Sequence, residues 1–508
     1  MFMNLYINQL INLKINIITK ILVLFSFTIA TAQKRDTLCF VQINDIYEIS
    51  PLRGGKVGGL ARLATFIDSC KKRYPTYSFI AGDFLSPSVM GTAVVDGEKL
   101  SGKQMVDGLN ALGIDYVTFG NHEFDVGEKA LRKRINESQF TWISTNVFQQ
   151  DGTPFYKEDA AIKKPFPSYI EIKSPQKEFN VLLFGLTLPS NTPPYSKFTS
   201  YDSALQSLKP TFRALRSKNT LVIGLTHLSA DEDLALLNRY PEIRLSMGGH
   251  EHENMFLTSK HKTHVAKADA NGKSVYVHLL FRDATNKLTI KSQLVQIDES
   301  ISLKPSMVEV VTKWEEKAFE SFRKSGIEPT RSVCVIADTL NGTEASIRFH
   351  QNNMGAAVNR ALMTGEGIEA SFINSGSIRI DDKVTGSITE LDVVRIMPFQ
   401  NNIVEVELKG SLLSQMIKTN DNRKGWGGYL QYSSNISVND GVVLLNGIPI
   451  QSDRVYKIRT VEFLLTGKEP KLEYFTAKHP EVVRAETILD VNKKPLDLRI
   501  VFINTLRN

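Results

Sequence analysis

The alternation of short apolar runs with segments of helical spacing between Asp36 and about Ile297 most constrains the fold. The runs LCFVQIN, YSFIAGD and IDYVTFGNH are predicted to be strands, and GGLARLATFIDSCKKRY and GKQMVDGLNALG between them have the apolar spacing of helices. TWISTNV, FNVLLFGLT, TLVIGLTH and IRLSMGGH continue the series. Strands that alternate with helices predict a layered α/β domain of the βαβ type. The runs SVYVHLLFRD and KLTIKSQLVQID are expected to close it as a hairpin.

A chain of 508 residues is too long for one hydrophobic core, so two domains are expected. KPSMVEVVTKWEEKAFESFRKS is predicted to be a polar connecting helix, which the GIEP at residues 326–329 ends. A second, smaller α+β domain then mixes helices such as NNMGAAVNRALM with strands such as IVEVELKG. We predict four segments: a signal peptide at residues 1–32, a first domain at 33–302, a helical linker at 303–330 and a second domain at 331–508.

The first residues have the pattern of an export signal. Lys14 and Lys20 precede the apolar run ILVLFSFTIATA, which ends in the small residues Ala30-Thr31-Ala32. Cleavage after Ala32 would place the mature protein in a periplasm or outside the cell. The run is short for a membrane span, although an uncleaved anchor is the alternative.

The charge and the cysteines narrow the class of protein further. The formal net charge of +7 suits an anionic substrate, and no Lys/Arg cluster is long enough to indicate nucleic-acid binding. The three cysteines are few and widely separated, which does not favour a disulfide framework. The sequence leaves the oligomeric state open.

Polar side chains of the types that bind metals follow five of the predicted strands. They are Asp45, Asp83, Asn121 with His122, His227, and His250 with His252. Each alone could be a turn or cap residue. Ligands, however, gather outside the carboxyl ends of strands in open α/β sheets. Oxygen with imidazole suits Zn, Mn or Fe better than calcium, and Asp83 could bridge two metals for an in-line phosphoryl displacement.

The same residues resemble the motif series of the calcineurin-like metallophosphoesterases: QINDIY, AGDFLS, GNHEFD, GLTH and GGHEHE. The resemblance implies a four-layer α/β/β/α sandwich as the first domain. It also implies two metals, the first held by Asp45, Asp83 and His252, and the second by Asp83, Asn121, His227 and His250.

The resemblance assigns the rest of the GNHEFD motif to catalysis. It implies that His122 protonates the leaving oxygen or stabilises the transition state, and that Asp125 orients His122. It gives no role to Glu123, which is expected to face solvent.

Tyr47 departs from the family pattern. Most members have Asp-x-His on the first strand, where this chain has Asp45-Ile46-Tyr47. A phenol with a reference pKa of about 10 is a poorer zinc ligand at neutral pH, and a phenolate favours ferric iron. Tyr47 therefore ligates the first metal, leaves it one ligand short, or only packs.

The second domain resembles the C-terminal domain of the 5'-nucleotidase family, which includes periplasmic UDP-sugar hydrolases. The stretches that carry this resemblance are SIRFHQNNMGAAVNRAL, FINSGSIR, MPFQNNIVEVELKG, GGYLQYS and VEFLLTGKE. It implies that the second domain joins the first through a helix and binds the substrate.

The implied substrate-binding residues fall into two groups. Arg348 and Arg379 would hold substrate charge, and Asn374 would bond the nucleoside. Tyr429 and Phe463 would stack the base, which contributes about 1–3 kcal/mol per base. Glu469 stands where the family usually has Asp, Lys468 replaces a glycine, and Tyr429 replaces the usual Phe. The alternative for both aromatic residues is a place in the core.

These resemblances imply a secreted dimetal phosphohydrolase, a 5'-nucleotidase that uses a metal-activated hydroxide to release phosphate from nucleoside 5'-monophosphates. Two divalent ions are expected, as Zn, Mn, Co or Fe, and a domain rotation would bring base and phosphate together. Enzymatic alternatives are a 2',3'-cyclic-nucleotide 2'-phosphodiesterase/3'-nucleotidase and a UDP-sugar hydrolase. The non-enzymatic alternative is a nucleotide-binding protein with an impaired first metal site.

Overall fold

The computed structural model describes residues 36–508, except for residues 160–161, 191 and 217–218. The predicted signal peptide lies outside these residues. Across the described ranges, no helix combines the length and the apolar character that a membrane crossing requires.

Two six-stranded sheets form the first part of the fold. Its strands are β1 (Leu38–Ile43), β2 (Thr76–Ala81), β3 (Val94–Val95), β4 (Glu98–Lys99), β5 (Tyr116–Thr118), β6 (Thr141–Trp142), β7 (Val147–Gln149), β8 (Tyr156–Asp159), β9 (Ile162–Pro165), β10 (Tyr169–Lys173), β11 (Asn180–Thr187), β12 (Ser196–Phe198), β13 (Thr220–His227), β14 (Ile243–Gly248), β15 (Met255–Thr258), β16 (His264–Lys267), β17 (Ser274–Arg282) and β18 (Leu288–Gln296). The first sheet has the order β18-β17-β1-β2-β5-β6, and the second has the order β10-β11-β13-β14-β16-β15.

The centre of each sheet is parallel, as the alternation of strands and helices predicts. β1, β2, β5 and β6 run parallel to one another, and so do β11, β13, β14 and β16. The predicted hairpin is confirmed, because β17 and β18 pair antiparallel over nine residues and β17 also pairs with β1. All carboxyl ends of the central strands in a sheet therefore point to the same edge.

Helices cover the outer faces of both sheets. They are α1 (Leu60–Lys71), α2 (Lys103–Leu112), α3 (Glu128–Glu137), α4 (Tyr201–Arg216), α5 (Ala230–Arg239) and α6 (Pro305–Lys324), with short 3-10 turns at Met90–Thr92, His122–Val126 and Ala270–Gly272. The second predicted helix ends at Gly113, whose φ of 71° is the left-handed conformation that glycine adopts freely at a helix end.

Strand β1 shows why the arrangement has four layers. Leu38 and Phe40 belong to the core between the two sheets, whereas Cys39, Val41 and Ile43 belong to the core under α1 and α2. Successive side chains of a strand point to opposite faces, and here both faces are buried. The predicted α/β/β/α sandwich is confirmed.

The connecting helix α6 is buried along one face. Met307, Val311, Trp314 and Phe322 join the core of the first domain. The indole Nε1 of Trp314 donates to Asp107 Oδ2 at 2.7 Å, so its one polar atom has a partner. The first domain therefore holds this helix firmly.

The remaining part of the chain is an α+β domain with its own core. Its strands are β19 (Ser332–Asn341), β20 (Ala370–Asn374), β21 (Lys383–Thr389), β22 (Ile403–Lys409), β23 (Leu430–Tyr432), β24 (Ile436–Asn439), β25 (Val442–Leu445), β26 (Ile448–Pro449), β27 (Val455–Val461) and β28 (Val482–Thr487). Its helices are α7 (Glu344–Ile347), α8 (Asn353–Leu362), α9 (Glu390–Ile396), α10 (Gly410–Lys418) and α11 (Leu498–Arg507), with 3-10 turns at Ser375–Ser377, Asn420–Arg423 and Glu462–Leu465. The central sheet has the order β23-β20-β27-β22-β28.

Candidate active site

The predicted metal ligands lie where the carboxyl ends of both sheets meet. Asp45 follows β1, Asp83 follows β2, and Asn121 follows β5, all in the first sheet. His227 ends β13 and His250 follows β14, which are neighbours in the second sheet. Because strands of both sheets point to one edge, residues up to 205 positions apart come within hydrogen-bonding distance.

Three of these residues have a backbone conformation that is uncommon for residues other than glycine. The φ angles are 50° at Asp45, 55° at Asp83 and 84° at His250. Such left-handed conformations cost on the order of 1–3 kcal/mol each and concentrate at functional sites. The three strained residues lie just after strands β1, β2 and β14, where the chain turns so that the predicted ligands come close together.

Two motif glycines permit the close approach of these loops. A Cβ on Gly120 would lie 2.1 Å from Asp83 Oδ1, and a Cβ on Gly249 would lie 2.3 Å from the carbonyl oxygen of Ala81. Both distances are far shorter than van der Waals contact. Gly120 and Gly249 are therefore needed because any side chain at these positions would overlap the neighbouring loop.

The Tyr47 hydroxyl lies among the three residues implied for the first metal. Its Oη is 3.4 Å from Asp45 Oδ1, 3.2 Å from Asp83 Oδ2 and 3.0 Å from His252 Nε2. His252 Nε2 is 3.6 Å from Asp45 Oδ1. Ligand atoms about 2.0–2.1 Å from a tetrahedral zinc are separated by roughly 3.3–3.4 Å, and these four separations are close to that spacing.

A cation fits this group of atoms better than hydrogen bonds do. Tyr47 has one hydroxyl proton, which can satisfy only one of the three acceptors around it. Asp45 and Asp83 are both buried, and their charges lie close together. A divalent cation among these oxygen and nitrogen atoms would satisfy all of them at once.

The second implied set adjoins the first through Asp83. His227 Nε2 lies 3.2 Å from Asp83 Oδ2 and 3.2 Å from Asn121 Oδ1. His227 Nδ1 is 2.7 Å from the carbonyl oxygen of Ala81, and as the donor in this bond it leaves the Nε2 lone pair for the site. The ring of His250 stands 5.4 Å from that of His227, centre to centre. Asp83 Oδ2 is thus shared by both sets.

The electrostatics of this group indicate a need for positive charge. Burial raises the pKa of Asp45 to about 7. Burial is the largest single influence on the pKa of His227 and lowers it, but the charges of Asp83 and Asp45 together with the hydrogen bonds of the ring outweigh burial and raise the pKa to about 10. A proton on His227 therefore balances the carboxylates. A bound cation would replace that proton, because a histidine ligand must be neutral.

The two remaining histidines are neutral at physiological pH. Burial, aided by the charge of His227, lowers the pKa of His250 to about 3, and burial lowers that of His252 to about 3. Neutral imidazole is the form that binds metals.

His122 and Asp125 form the predicted dyad. His122 Nδ1 is 2.6 Å from Asp125 Oδ2, and the His122 side chain remains 20% exposed and lines a cavity. Burial lowers the pKa of His122, but the charges of Asp83 and Asp125 outweigh burial and raise it above the ordinary value. The dyad therefore favours protonation of His122 at Nε2, the nitrogen that faces away from Asp125.

The expectation that Glu123 faces solvent is wrong. Glu123 is fully buried and accepts four backbone N–H groups, from Asp83, Phe84, Leu85 and Gly120, at 2.5–3.1 Å. A carboxylate with four donors satisfies all its lone pairs. Glu123 thereby fixes the loop that carries Asp83 to the loop that carries Asn121.

Lys267 anchors the histidine loops of the second sheet in a similar way. Its buried Nζ donates to the carbonyl oxygens of Leu228 at 2.6 Å and Gly249 at 2.8 Å, and it pairs with Glu251 and Asp233. Leu228 is the neighbour of His227 in the chain, and Gly249 and Glu251 flank His250. Two acids and two carbonyls provide the compensation that a buried ammonium needs.

A cavity of about 470 Å³ opens between the two domains at this site. Tyr47, His122 and His252 line it from the first domain, and Arg348 and Arg379 line it from the second. Its volume lies within the range of small-ligand pockets. Two predicted substrate-binding arginines thus face the predicted metal ligands.

The other predicted substrate-binding residues lie in the second domain, outside the lining of this cavity. Asn374 Nδ2 donates to Glu469 Oε2 at 2.8 Å, so the two predicted nucleoside contacts touch each other. Phe463 is 40% exposed on the turn Glu462–Leu465, which excludes the core alternative for it, whereas Tyr429 is buried. Arg348 lines the cavity and also lies near Glu469. Burial lowers the pKa of Arg348, and the charges of Arg379 and Glu469 also affect this pKa.

Three residues of the site were missed by sequence reasoning: Glu123, Lys267 and Asp381. Glu123 stands inside GNHEFD, so the motif itself was a signal. Lys267 ends an apolar strand, where a buried cation needs acids that only the fold supplies. Asp381 follows Arg379 by two residues, yet its partner His252 is 129 residues away.

The chain is similar to known proteins over most of its length. Residues 39–254 match the family model of the calcineurin-like phosphoesterase, and residues 333–477 match that of the 5'-nucleotidase C-terminal domain. The chain is 24% identical over 480 residues to protein UshA of Yersinia enterocolitica, covering 82% of this chain and 83% of that one. It is 25% identical over 473 residues to bovine 5'-nucleotidase, covering 81% of this chain and 78% of that one.

A solved structure has the same fold over nearly the whole chain. The 5'-nucleotidase precursor from Thermus thermophilus aligns with a TM-score of 0.69 at 20% identity, over 93% of this chain and 96% of that one.

Proposed function

Since the chain belongs to the 5'-nucleotidase family, we propose that it is a metal-dependent phosphohydrolase that releases phosphate from nucleoside 5'-monophosphates. The observation that carries the proposal is a cavity lined by Tyr47, His122 and His252 of the first domain and by Arg348 and Arg379 of the second. A phosphate bound in this cavity would contact the two arginines and the metal site, and its leaving oxygen would lie near a proton donor.

Two divalent cations would be held by the residues at the ends of the two sheets. The first would lie among Asp45, Asp83 and His252, beside the Tyr47 hydroxyl, and the second among Asp83, Asn121, His227 and His250. When bound, such a pair of cations activates water and neutralises charge on the phosphoryl oxygens. The chain's own part is to keep these side chains in place, through Glu123 and Lys267, before the substrate arrives.

His122 would act on the leaving group. Its Nδ1 is held by Asp125, so its Nε2 is the atom that can give a proton to the nucleoside oxygen as the bond to phosphorus breaks. The proton ends on the 5'-hydroxyl of the released nucleoside. Asp125 keeps the ring oriented and stabilises its protonated form.

The second domain would supply recognition of the substrate. Arg379 and Arg348 would bind phosphate oxygens, for which the planar guanidinium is well suited. Asn374, Glu469, Tyr429 and Phe463 would bind the nucleoside. Because the last four lie outside the cavity, we expect the two domains to move relative to each other during the cycle.

We further propose that the mature protein begins after residue 32 and acts in a periplasm or outside the cell. The export pattern around Lys20 and Ala32 supports this proposal. We also propose that the chain divides into domains at residues 33–302 and 331–508, which a linker at residues 303–330 joins.

The test is phosphate release from AMP by the purified mature protein, stripped of metal and reloaded separately with Zn, Mn, Co or Fe while bound metal is counted. Release from AMP with two metals per chain is the expected result. Preference for 3'-AMP, cyclic 2',3'-AMP or UDP-glucose over AMP would replace the substrate assignment with one of the enzymatic alternatives. Tight AMP binding without turnover on any substrate would favour the binding-protein alternative.

A further inference from the structure

A loop of the second domain contacts a predicted metal ligand of the first. Asp381 Oδ2 contacts Nδ1 of His252, and both side chains are less than one fifth exposed. The other carboxylate oxygen, Oδ1, accepts the backbone N–H of Glu344 at 2.6 Å, at the start of α7. Asp381 therefore ties the imidazole of one domain to the backbone of the other.

This contact determines which nitrogen of His252 faces the site. With Nδ1–H donating to Asp381, the lone pair of Nε2 points to the Tyr47 hydroxyl at 3.0 Å and Asp45 Oδ1 at 3.6 Å. A carboxylate on the outer nitrogen of a histidine ligand orients the ring and makes it a better donor to a metal. In the tautomer that donates from Nδ1 to Asp381, His252 offers the lone pair of Nε2 to the first metal.

The origin of the carboxylate distinguishes His252 from its neighbours. The Nδ1 of His227 is held by the carbonyl of Ala81, and the Nδ1 of His122 by Asp125, both within the first domain. In the described part of the chain, His252 is the predicted ligand whose outer nitrogen is held from the second domain.

The same loop also carries substrate recognition and a second interdomain contact. Arg379, two residues before Asp381, lines the cavity opposite His122. Asp382, the next residue, pairs with Arg53 at 2.9 Å and with Lys273 at 3.8 Å. Asp381 has a φ of 40°, so the loop adopts a left-handed turn to direct its carboxylates.

We propose that Asp381 is a positioning residue that orients His252 and makes the affinity of the first metal depend on the arrangement of the two domains. The inference rests on the proposed dimetal function. Separation of the domains would remove the carboxylate from His252 and weaken the first metal. By linkage, a metal at that site favours the arrangement in which Asp381 touches His252.

The test compares Asp381→Asn and Asp381→Gly with Asp382→Asn in the full chain. Asn and Gly both tolerate the positive φ, so neither change adds backbone strain. Asp381→Asn keeps an oxygen for the Glu344 N–H and removes only the charge. Asp382→Asn is the matched control, since it alters the same loop and another interdomain ion pair but not His252.

Metal affinity is measured by titrating stripped protein with Zn or Mn against a chromophoric chelator. Both Asp381 variants are expected to bind one of the two metals about 10–100-fold more weakly and the other as wild type does. The Asp382 control, which weakens the interdomain contact but leaves Asp381 on His252, is expected to lose much less affinity for the first metal than the Asp381 variants and none for the second. Equal affinity of wild type and Asp381 variants for both metals, or equal weakening of both metals, would overturn the inference.

Two further readouts separate positioning from a structural role. Excess metal should restore AMP turnover in Asp381→Asn, which a folding defect would not permit. Metal addition should change the small-angle scattering of wild type toward a more compact arrangement, and this change should be lost in Asp381→Gly. If the scattering profile of wild type did not change on metal addition, the proposed coupling between the domains would be overturned. Wild type that binds two metals without hydrolysing nucleotides would contradict the proposed function alone.

Discussion

The hydroxyl of Tyr47 lies 3.0 Å from Nε2 of His252, and Tyr47 stands where the Asp-x-His pattern that this chain resembles has its histidine. Burial and the neighbouring carboxylates raise the pKa of this phenol well above its ordinary value. A cation among the same atoms would reverse that effect, because it favours the phenolate.

Replacement of Tyr47 by Phe tests whether the phenol is a ligand. If it ligates, ferric loading of the wild-type protein should give a visible phenolate-to-iron absorption band, and Tyr47→Phe should lack the band. Absorption spectroscopy with iron counting makes the comparison. A packing role predicts no band in either protein at full iron occupancy.

His122→Ala should reduce turnover of AMP by roughly 10²–10⁴-fold, because the leaving oxygen loses its proton donor. Metal content should stay at the wild-type value, since His122 contacts Asp83 only through its backbone N–H, which alanine keeps. Steady-state kinetics and metal analysis on the same sample check both points. Unchanged turnover would remove His122 from the mechanism.

Asp125→Asn should shift the pH dependence of turnover. The negative charge of Asp125 raises the pKa of His122, so its removal lowers that pKa. A general acid is active while protonated, and activity is lost as pH rises through its pKa. The basic limb of the kcat–pH profile should therefore move to lower pH in Asp125→Asn. A lower kcat with an unmoved limb would mean that Asp125 only supports the fold.

Glu123→Gln should destabilise the protein by about 1–3 kcal/mol, because the new amide group would direct donors at backbone N–H groups that now have an acceptor. The midpoint of chemical denaturation measures the loss. Glu128→Gln, at an exposed position of helix α3, is the control, and its effect should stay within about 0.5 kcal/mol. Equal stability of both variants would contradict the assigned role of Glu123.

Phe463→Ala should raise the KM for AMP far more than that for a small aryl phosphate, because only AMP has a base to stack. The expected loss is about 1–3 kcal/mol of binding. Phe256→Ala in the first domain removes a phenylalanine of similar exposure, 45% against 40%, and should leave the KM for both substrates unchanged. Equal losses on both substrates would show that Phe463 does not contact the base.

The sequence alone determined the layered fold and the positions of the predicted ligands. Hydrophobic alternation predicts strands, and a residue just after a parallel strand must lie at the carboxyl edge of its sheet. Asp45, Asp83, Asn121, His227 and His250 can therefore be assigned to one edge from the pattern of strands itself. The linear motif equally places His122 beside Asp125, since only three positions separate them.

Only the tertiary structure decided the contacts between distant segments. The burial of Glu123, the partners of Lys267 and the pairing of Asn374 with Glu469 depend on which loops pack together. The contact of Asp381 with His252 depends further on how one domain docks on the other. Local patterns carry no information on such distances, because hydrophobic burial specifies faces and not the partner of each polar atom.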